Sequence, residues 1–324
     1  MNKMYVAPLE GITGYIFRNV LNDMFGEGID KFFTPFLMPH VKKPMSSKDI
    51  NEIDPKHNVS NLVVQILTSD AEGFSFLEKA VREYGYSEIN LNLGCPSNTV
   101  CNKGRGSGFL VYPEKLDRFL DAIYSSAGGD ISIKTRLGYL ESEEFVRILE
   151  IYNKYPVSEL TIHPRVKKQM YSGETDFDMF AYAMRNAKAP LCYNGDITSV
   201  SDYNALLERM RGEYERGKCQ NPDDIPIMIG RGIIGNPGLI RQITTNRVVT
   251  GEELAAFMKR LRLEYSAVFS GDVPVLFKMK EVWVHMKNLY PNAVALTDKI
   301  LKAKSMSEYL ILESKIYKES APKC

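Results

Sequence analysis

The stretch Glu88-Ile89-Asn90-Leu91-Asn92-Leu93-Gly94-Cys95-Pro96 is a short run rich in isoleucine and leucine, closed by a glycine turn that carries a cysteine. Seven further runs of this kind follow the same plan, at Met4–Leu9, Phe32–Phe36, Leu62–Leu67, Ile131–Leu137, Glu159–Pro164, Pro190–Asn194 and Pro226–Ile229. Runs that are apolar on both faces are expected of parallel strands covered on both sides. Between them lie helix-period segments such as Ala71–Tyr84, Pro113–Ala127, Ser142–Tyr155 and Ser201–Arg211. Strand and helix alternating eight times predict an α/β chain folded as a closed (β/α)8 TIM barrel in preference to an open sheet. The rhythm stops after about Thr245, where Gly251–Ser270, Val275–Tyr290 and Leu296–Tyr317 read as three helices with no strand between them. The expected organisation is a barrel domain over 1–245 and a small all-helical domain over 246–324.

At 324 residues the chain has room for a barrel of roughly 250 residues and an appendage. With 44% apolar and 25% charged residues it has a globular composition. No stretch approaches the roughly 20 apolar residues of a membrane helix, so no membrane partner is expected. Met1-Asn2-Lys3-Met4-Tyr5-Val6-Ala7-Pro8 runs straight into strand-like sequence without the pattern of a signal peptide, which predicts a cytoplasmic location. The five cysteines are odd in number and scattered, poor both as a disulfide framework and as a zinc site. His40, His57 and His285 lack partners at ligand spacing, so no metal is expected. A net charge of +1 means that any polyanion partner must be held by local patches. No feature calls for an obligate protein partner.

In a barrel of this kind, catalytic groups come from the C-terminal ends of strands and the loops after them. Those ends form a coherent set here: Pro8-Leu9-Glu10-Gly11, Gln65, Asn92 with Cys95, Lys134 with Arg136, His163 with Arg165, Asn194-Gly195-Asp196, and Gly230-Arg231-Gly232. Buried polar groups left unpaired cost about 1–3 kcal/mol each, so a polar cofactor is expected at that mouth. Lys134, inside the run Ile131-Ser132-Ile133, faces either an anion or electron-rich ring of a ligand, or a structural ion pair. His163 is either a core histidine or a cofactor hydrogen-bond partner.

Gly230-Arg231-Gly232-Ile233-Ile234-Gly235 matches the dinucleotide pattern G-x-G-x-x-G. That fingerprint should open the first βα unit, whereas here a helical tail follows it. After an eighth barrel strand, and together with Asn194-Gly195-Asp196, the glycines instead suit a mononucleotide phosphate, which points to FMN. A simple tight turn is the plainer alternative. Cys95 sits on a turn at the mouth, where a thiol can give a proton to one carbon of a double bond while hydride reaches the other from the opposite face. Its ordinary pKa of about 8.5 keeps it protonated at neutral pH, as a general acid requires. Cys101, on the same loop but farther from the strand, is the rival, and Cys192 is read as a packing cysteine.

These motifs together resemble the tRNA-dihydrouridine synthase family over nearly the whole chain. Ala7-Pro8-Leu9-Glu10-Gly11-Ile12-Thr13 resembles its opening A-P-M-E-G-V-T, with Leu9 for the usual methionine. Further matches are Val64-Gln65-Ile66, Asn90-Leu91-Asn92-Leu93-Gly94-Cys95-Pro96-Ser97, Lys134-Thr135-Arg136-Leu137-Gly138, Thr161-Ile162-His163-Pro164-Arg165, Tyr193-Asn194-Gly195-Asp196-Ile197 and Met228-Ile229-Gly230-Arg231-Gly232. The resemblance implies reduction of uridine in tRNA by FMN, re-reduced by NADPH, with hydride to C6 and a proton from Cys95 to C5. It puts Pro8, Leu9, Glu10, Gln65, Lys134, His163, Asn194, Gly195, Asp196, Gly230 and Arg231 at FMN, with Lys134 towards the pyrimidine edge of the ring. Asn92, Arg136, Arg165 and Tyr171 fall where the family handles the target nucleotide, and Lys280 lies in a stretch resembling its tRNA-facing helix. The basic stretches Lys42-Lys43, Arg165–Lys168 and the helical tail are expected to hold phosphates. Two departures stand out: Pro164 replaces the glycine or alanine common between histidine and arginine, and Glu208–Asp224 reads as a charged insertion lengthening the loop before strand eight.

Two other functions are compatible with the residues taken alone. A flavin oxidoreductase acting on a free pyrimidine, similar to dihydroorotate dehydrogenase, would use the same mouth and leave the helical tail without a purpose. A non-catalytic RNA-binding barrel would use the tail and bind no flavin.

Overall fold

A computed structural model describes residues 1–40 and 43–323. All eight expected runs are strands: β1 (Met4–Val6), β2 (Lys31–Phe33), β3 (Leu62–Ile66), β4 (Glu88–Leu93), β5 (Asp130–Gly138), β6 (Leu160–Val166), β7 (Leu191–Tyr193) and β8 (Ile227–Ile229). Each pairs in parallel with its successor, and the sheet closes in the order β1 to β8, a TIM barrel. The cause is legible in β3, whose Leu-Val-Val-Gln-Ile is buried at every position, as a strand covered by helices outside and packed inside must be.

The helices between strands begin where side chains can satisfy their free amides. Asp70 accepts from Gly73 N at 3.1 Å and starts the helix Ala71–Arg82, and Asp176 accepts from Met179 N at 3.0 Å and starts Phe177–Asn186. Pro113 opens Pro113–Ser126 at a position where its missing N–H costs nothing.

Chain contacts divide the molecule into two compact units. The first comprises Met1–Pro8, Asp30–Gly195 and Leu206–Met228. The second comprises Leu9–Ile29, Asp196–Ala205 and the chain from Ile229 onward. In the second unit the first helix of the sequence, Tyr15–Phe25, packs on a C-terminal one: Phe257 of Gly251–Val268 meets Phe17 at 5.9 Å edge-on and Phe25 at 5.8 Å.

Two expectations need correction. The tail holds four α-helices, not three: Gly251–Val268, Asp272–Met286, Val294–Lys302 and Met306–Glu319. The segment read as one helix over Leu296–Tyr317 breaks because Ser305 turns extended and caps the last helix, accepting from Glu308 N at 3.2 Å. The Glu208–Asp224 segment is largely helical, since Val200–Arg216 is one helix. Of its charges, Glu213 meets Arg185 of a neighbouring helix at 2.6 Å and Arg211 meets Asp223 within the segment at 3.1 Å, while Met210 is buried.

Candidate active site

Strand register builds the site in rows. Gln65 pairs with Asn90 and Asn90 with Ser132; one step up, Asn92 pairs with Lys134, Lys134 with Thr161 and Thr161 with Cys192. Above these, Arg136 pairs with His163. Residues at one level of a parallel sheet point to the same face, so the rows stack polar groups inside the first unit, where barrels ordinarily stack valine, isoleucine and leucine.

Cys95 sits on the turn after β4 and is half-buried. Asn92 Oδ1 accepts from both Gly94 N (3.1 Å) and Cys95 N (2.9 Å), folding the chain back over the strand end. The carbonyl of Cys95 is held from the other side by Ser107, through its N (3.1 Å) and Oγ (2.9 Å). Gly106, at φ +55°, must be glycine: a Cβ there would stand 2.7 Å from the Cys95 carbonyl oxygen. The rival thiol is used inside this loop, since Cys101 Sγ donates to the Cys95 carbonyl at 3.3 Å and meets Ser107 Oγ at 3.5 Å, buried. Cys95 is therefore the thiol of this loop that the fold presents and Cys101 one that supports it. Cys192 is fully buried in β7, and burial pushes its thiol up, consistent with packing.

Lys134 is half-buried, and among the described residues its ammonium has no hydrogen-bond or ion-pair partner. Burial, then the like charge of Arg136, pulls its pKa down from 10.5 to about 8. Arg136 is 2% exposed; burial, with Arg165 also lowering, brings it to about 10, against an opposing pull from Tyr171. Its Nε donates to Gly94 O (3.0 Å) and Nη1 to Val166 O (3.0 Å), while Tyr171, 53% exposed, lies with its ring centre 5.3 Å from the guanidinium. Before Tyr171, Met170 takes φ +52°, an unusual backbone for a side chain of this size.

His163 and Arg165 are both buried in β6, with Nη1 of Arg165 3.3 Å from His163 Nε2 and Nη2 donating to Gly173 O at 2.6 Å. Arg165 thus presents no surface charge, which removes it from the basic stretch expected to grip phosphates. In the same stretch Lys167 donates to Asn98 Oδ1 at 2.8 Å and Lys168 is exposed. Lys42, of the other short stretch, lies outside the described residues, and Lys43 is exposed. Asn194 is buried and donates to Met228 O at 2.8 Å; Pro8 and Gly195 are half-buried.

The remaining expected site residues belong to the second unit. Leu9 opens a turn closed by Thr13, whose Oγ1 accepts from Leu9 N at 2.7 Å, and Glu10 is exposed on it. Asp196 and Arg231 bind one another at 2.6 Å. Gly230 caps the short helix Arg231–Gly235, in which a Cβ on Gly232 would run into the Ile197 carbonyl. Lys280 Nζ donates to Ala303 O at 3.0 Å, at the C-terminal end of Val294–Lys302, where a helix favours a cation. Its neighbour Lys278 donates to Gly11 O and meets Glu281 at 3.0 Å.

Not singled out from the sequence are Asn90, Ser132 and Glu88, which extend the polar interior beside Gln65 and below Asn92. Their signal was the two-residue spacing of polar groups, Glu88-Asn90-Asn92 on one strand and Ser132-Lys134-Arg136 on the next. Among the described residues no cluster of three or more His, Cys, Asp or Glu is placed to hold a metal ion, and no helix is long and apolar enough to cross a membrane.

The chain is 28% identical over 281 residues to the tRNA-dihydrouridine synthase B of Pseudomonas putida, covering 84% of this chain and 78% of that protein. It is 27% identical over 241 residues to the protein of the same name from Pasteurella multocida, covering 74% and 68%. A probable tRNA-dihydrouridine synthase of Staphylococcus epidermidis is 31% identical over 242 residues, covering 72% and 69%. The family model described as dihydrouridine synthase matches residues 5–315, and the chain belongs to that family.

Proposed function

We propose that this chain is a cytoplasmic enzyme that reduces uridine to 5,6-dihydrouridine in tRNA, with FMN as its resident cofactor, NADPH as reductant and Cys95 as the proton donor. The observation that carries the reading is Lys134: a half-buried ammonium with no hydrogen-bond or ion-pair partner among the described residues, in register with Asn92 and on the strand beside the Cys95 turn. A protein interior retains such a charge where a ligand supplies the counterpart.

The residues fit a flavin. Lys134 offers an uncompensated positive charge, Gln65 offers an amide with an N–H to spare, and His163 and Asn194 line the same strand ends. Pro8, Leu9 and Glu10 follow β1, and the turns at Gly195-Asp196 and Gly230-Arg231 follow β7 and β8, which are the phosphate positions of a barrel. When bound, the flavin supplies the hydride that goes to C6 of the uracil.

The chain's own part is to hold the base and deliver a proton. Cys95 Sγ gives its proton to C5 and recovers one from solvent, so that one hydride and one proton enter the double bond. Asn92 fixes the turn that aims the thiol, and Arg136 with Tyr171 forms the cation–π pair against which the nucleotide is held. The target base must leave the tRNA stack, because the two faces of its ring are approached by different groups. Residues 246–324 act as the tRNA-binding domain, with Lys280 on its second helix, and affinity falls with added salt.

The test is to purify the chain, record its visible spectrum, and then supply unmodified tRNA and NADPH. A flavin spectrum and dihydrouridine are expected. Flavin without product overturns tRNA as substrate, and absence of flavin overturns the cofactor.

A further inference from the structure

From the Cys95 turn a single file of hydrogen bonds runs down through the first unit to the opposite ends of the strands. Cys95 N donates to Asn92 Oδ1 (2.9 Å), Asn92 Nδ2 to Gln65 Oε1 (2.6 Å), and Gln65 Nε2 to Asn90 Oδ1 (2.8 Å). Asn90 Nδ2 then donates to Ser132 Oγ (2.9 Å), Ser132 Oγ to Glu88 Oε1 (2.7 Å), and Lys31 Nζ meets Glu88 Oε2 at 2.6 Å. Gln65, Asn90 and Ser132 are all 0% exposed, so the middle of the file is out of reach of bulk solvent.

The direction of this file is forced from both ends. At the top, Gly94 and Cys95 offer backbone N–H groups, which only donate, so Asn92 must present its oxygen to them and its NH2 to Gln65. Gln65 must then present oxygen upward and NH2 downward, Asn90 likewise, and Ser132 must pass its own hydrogen onward. At the bottom, an ionised carboxylate only accepts, so Glu88 takes that hydrogen and requires Asn90 to donate to Ser132. Starting from either end gives the same orientation of three amides. Reversing any one of them sets donor against donor or acceptor against acceptor at two buried contacts, each costing a buried unmade bond.

We propose that Glu88, Ser132 and Asn90 are positioning residues for Cys95: at the far end of the strands from the thiol, they brace the Gln65 and Asn92 amides from below in the same orientation that the turn's own amides require, and so hold the turn that aims it. The proposal rests on the reading of Cys95 as proton donor for the catalytic meaning of that turn, and on the hydrogen-bond file alone for the turn's order. It explains why β4 and β5 carry Asn90 and Ser132 at inward positions where a barrel ordinarily packs aliphatic side chains.

The test compares Ser132→Ala with Ser132→Thr, which keeps the hydroxyl. Three quantities are read on each: hydrogen exchange of the Gly94 and Cys95 amides, the rate of alkylation of Cys95 by iodoacetamide, and kcat and KM for tRNA. Ser132→Ala is expected to lose about tenfold in protection at those two amides, the equivalent of one hydrogen bond, with faster alkylation and a kcat that falls at unchanged KM. Ser132→Thr is expected to restore all three. Should Ser132→Ala not fold, Glu88→Ala removes the accepting end where the side chain is 19% exposed, and the same local loss is expected. If the two amides and the alkylation rate stay as in the unaltered chain in the variant that folds, the proposal is overturned. If the unaltered chain makes no dihydrouridine while the amides and the thiol loosen as expected, the positioning file stands and the reading of the reaction falls.

Discussion

Replacing Lys134 by methionine removes an ammonium and keeps an unbranched side chain of similar length. In the folded, flavin-free protein this amine has a pKa of about 8 where 10.5 is ordinary, because it is buried and faces Arg136. That displacement corresponds to about 3 kcal/mol, which the folded chain carries for holding the charge. Between the two pKa values the unfolded chain binds more protons than the folded one, so the stability of the parent rises with pH across that window. Below about pH 8 both states hold the proton and the whole penalty is present. Lys134→Met should therefore stabilise the flavin-free protein at about pH 7, by no more than about 3 kcal/mol and by less to the extent that methionine packs imperfectly. The advantage should fade as pH rises towards the ordinary lysine pKa. Urea unfolding of flavin-stripped parent and variant at about pH 7 and about pH 10 reads the effect, and flavin retained through dialysis reads its functional counterpart. The variant should keep less flavin while being more stable without it. A variant less stable than the parent at neutral pH, or a difference that ignores pH, would refute the reasoning and make Lys134 a structural cation.

Two further outcomes test the electrostatics of each unit. Glu159, whose Oε2 accepts from Tyr5 at 3.0 Å, is raised from 4.5 to about 7, by burial first and then Glu88, against Lys31. The folded chain then binds the extra proton between those values, so stability falls as pH rises through them, by at most about 3 kcal/mol; Glu159→Gln should flatten that slope in thermal melts. In the second unit Arg241, 4% exposed, makes two bonds to Glu253 at 2.8 and 2.9 Å, and Glu253 also closes the capping box of Thr250. These bonds hold the Glu253 carboxyl down at about 2, so their stabilisation is present above 4.5 and lost as pH falls towards 2. Because Glu253 is about a third exposed, Glu253→Ala should cost about 2 kcal/mol, less than a fully buried pair, in urea unfolding at neutral pH.

The barrel was legible because its strands announce themselves: β3 and β6 are buried along their whole length, and each run ends in a turn residue. Where local signals compete, reading failed. The split at Lys302–Met306 turns on one serine cap inside a continuous helical period, and the charged Glu208–Asp224 segment hid Met210, which with Leu207 just before it forms the buried face that makes it helix. At the site, the strand-end residues were found because position along a strand is visible in sequence. Two things were not visible. Burial of Arg136 and Arg165 depends on which carbonyls lie within reach, Gly94 and Val166 for one and Gly173 for the other. The Gln65-Asn90-Ser132 row depends on inter-strand register, which no single strand reveals. Cys101 illustrates the same limit: its spacing made it a rival to Cys95, and only the folded loop turns its thiol onto the Cys95 carbonyl.

Cys95 as proton donor is tested by single-turnover dihydrouridine formation in Cys95→Ala beside Cys101→Ala, both with the flavin spectrum recorded. Cys95→Ala should fold, stay yellow and lose at least about a hundredfold in rate, the usual worth of a general acid, while Cys101→Ala retains most of it. Parental rates in a yellow Cys95→Ala protein would mean that the proton comes from another group.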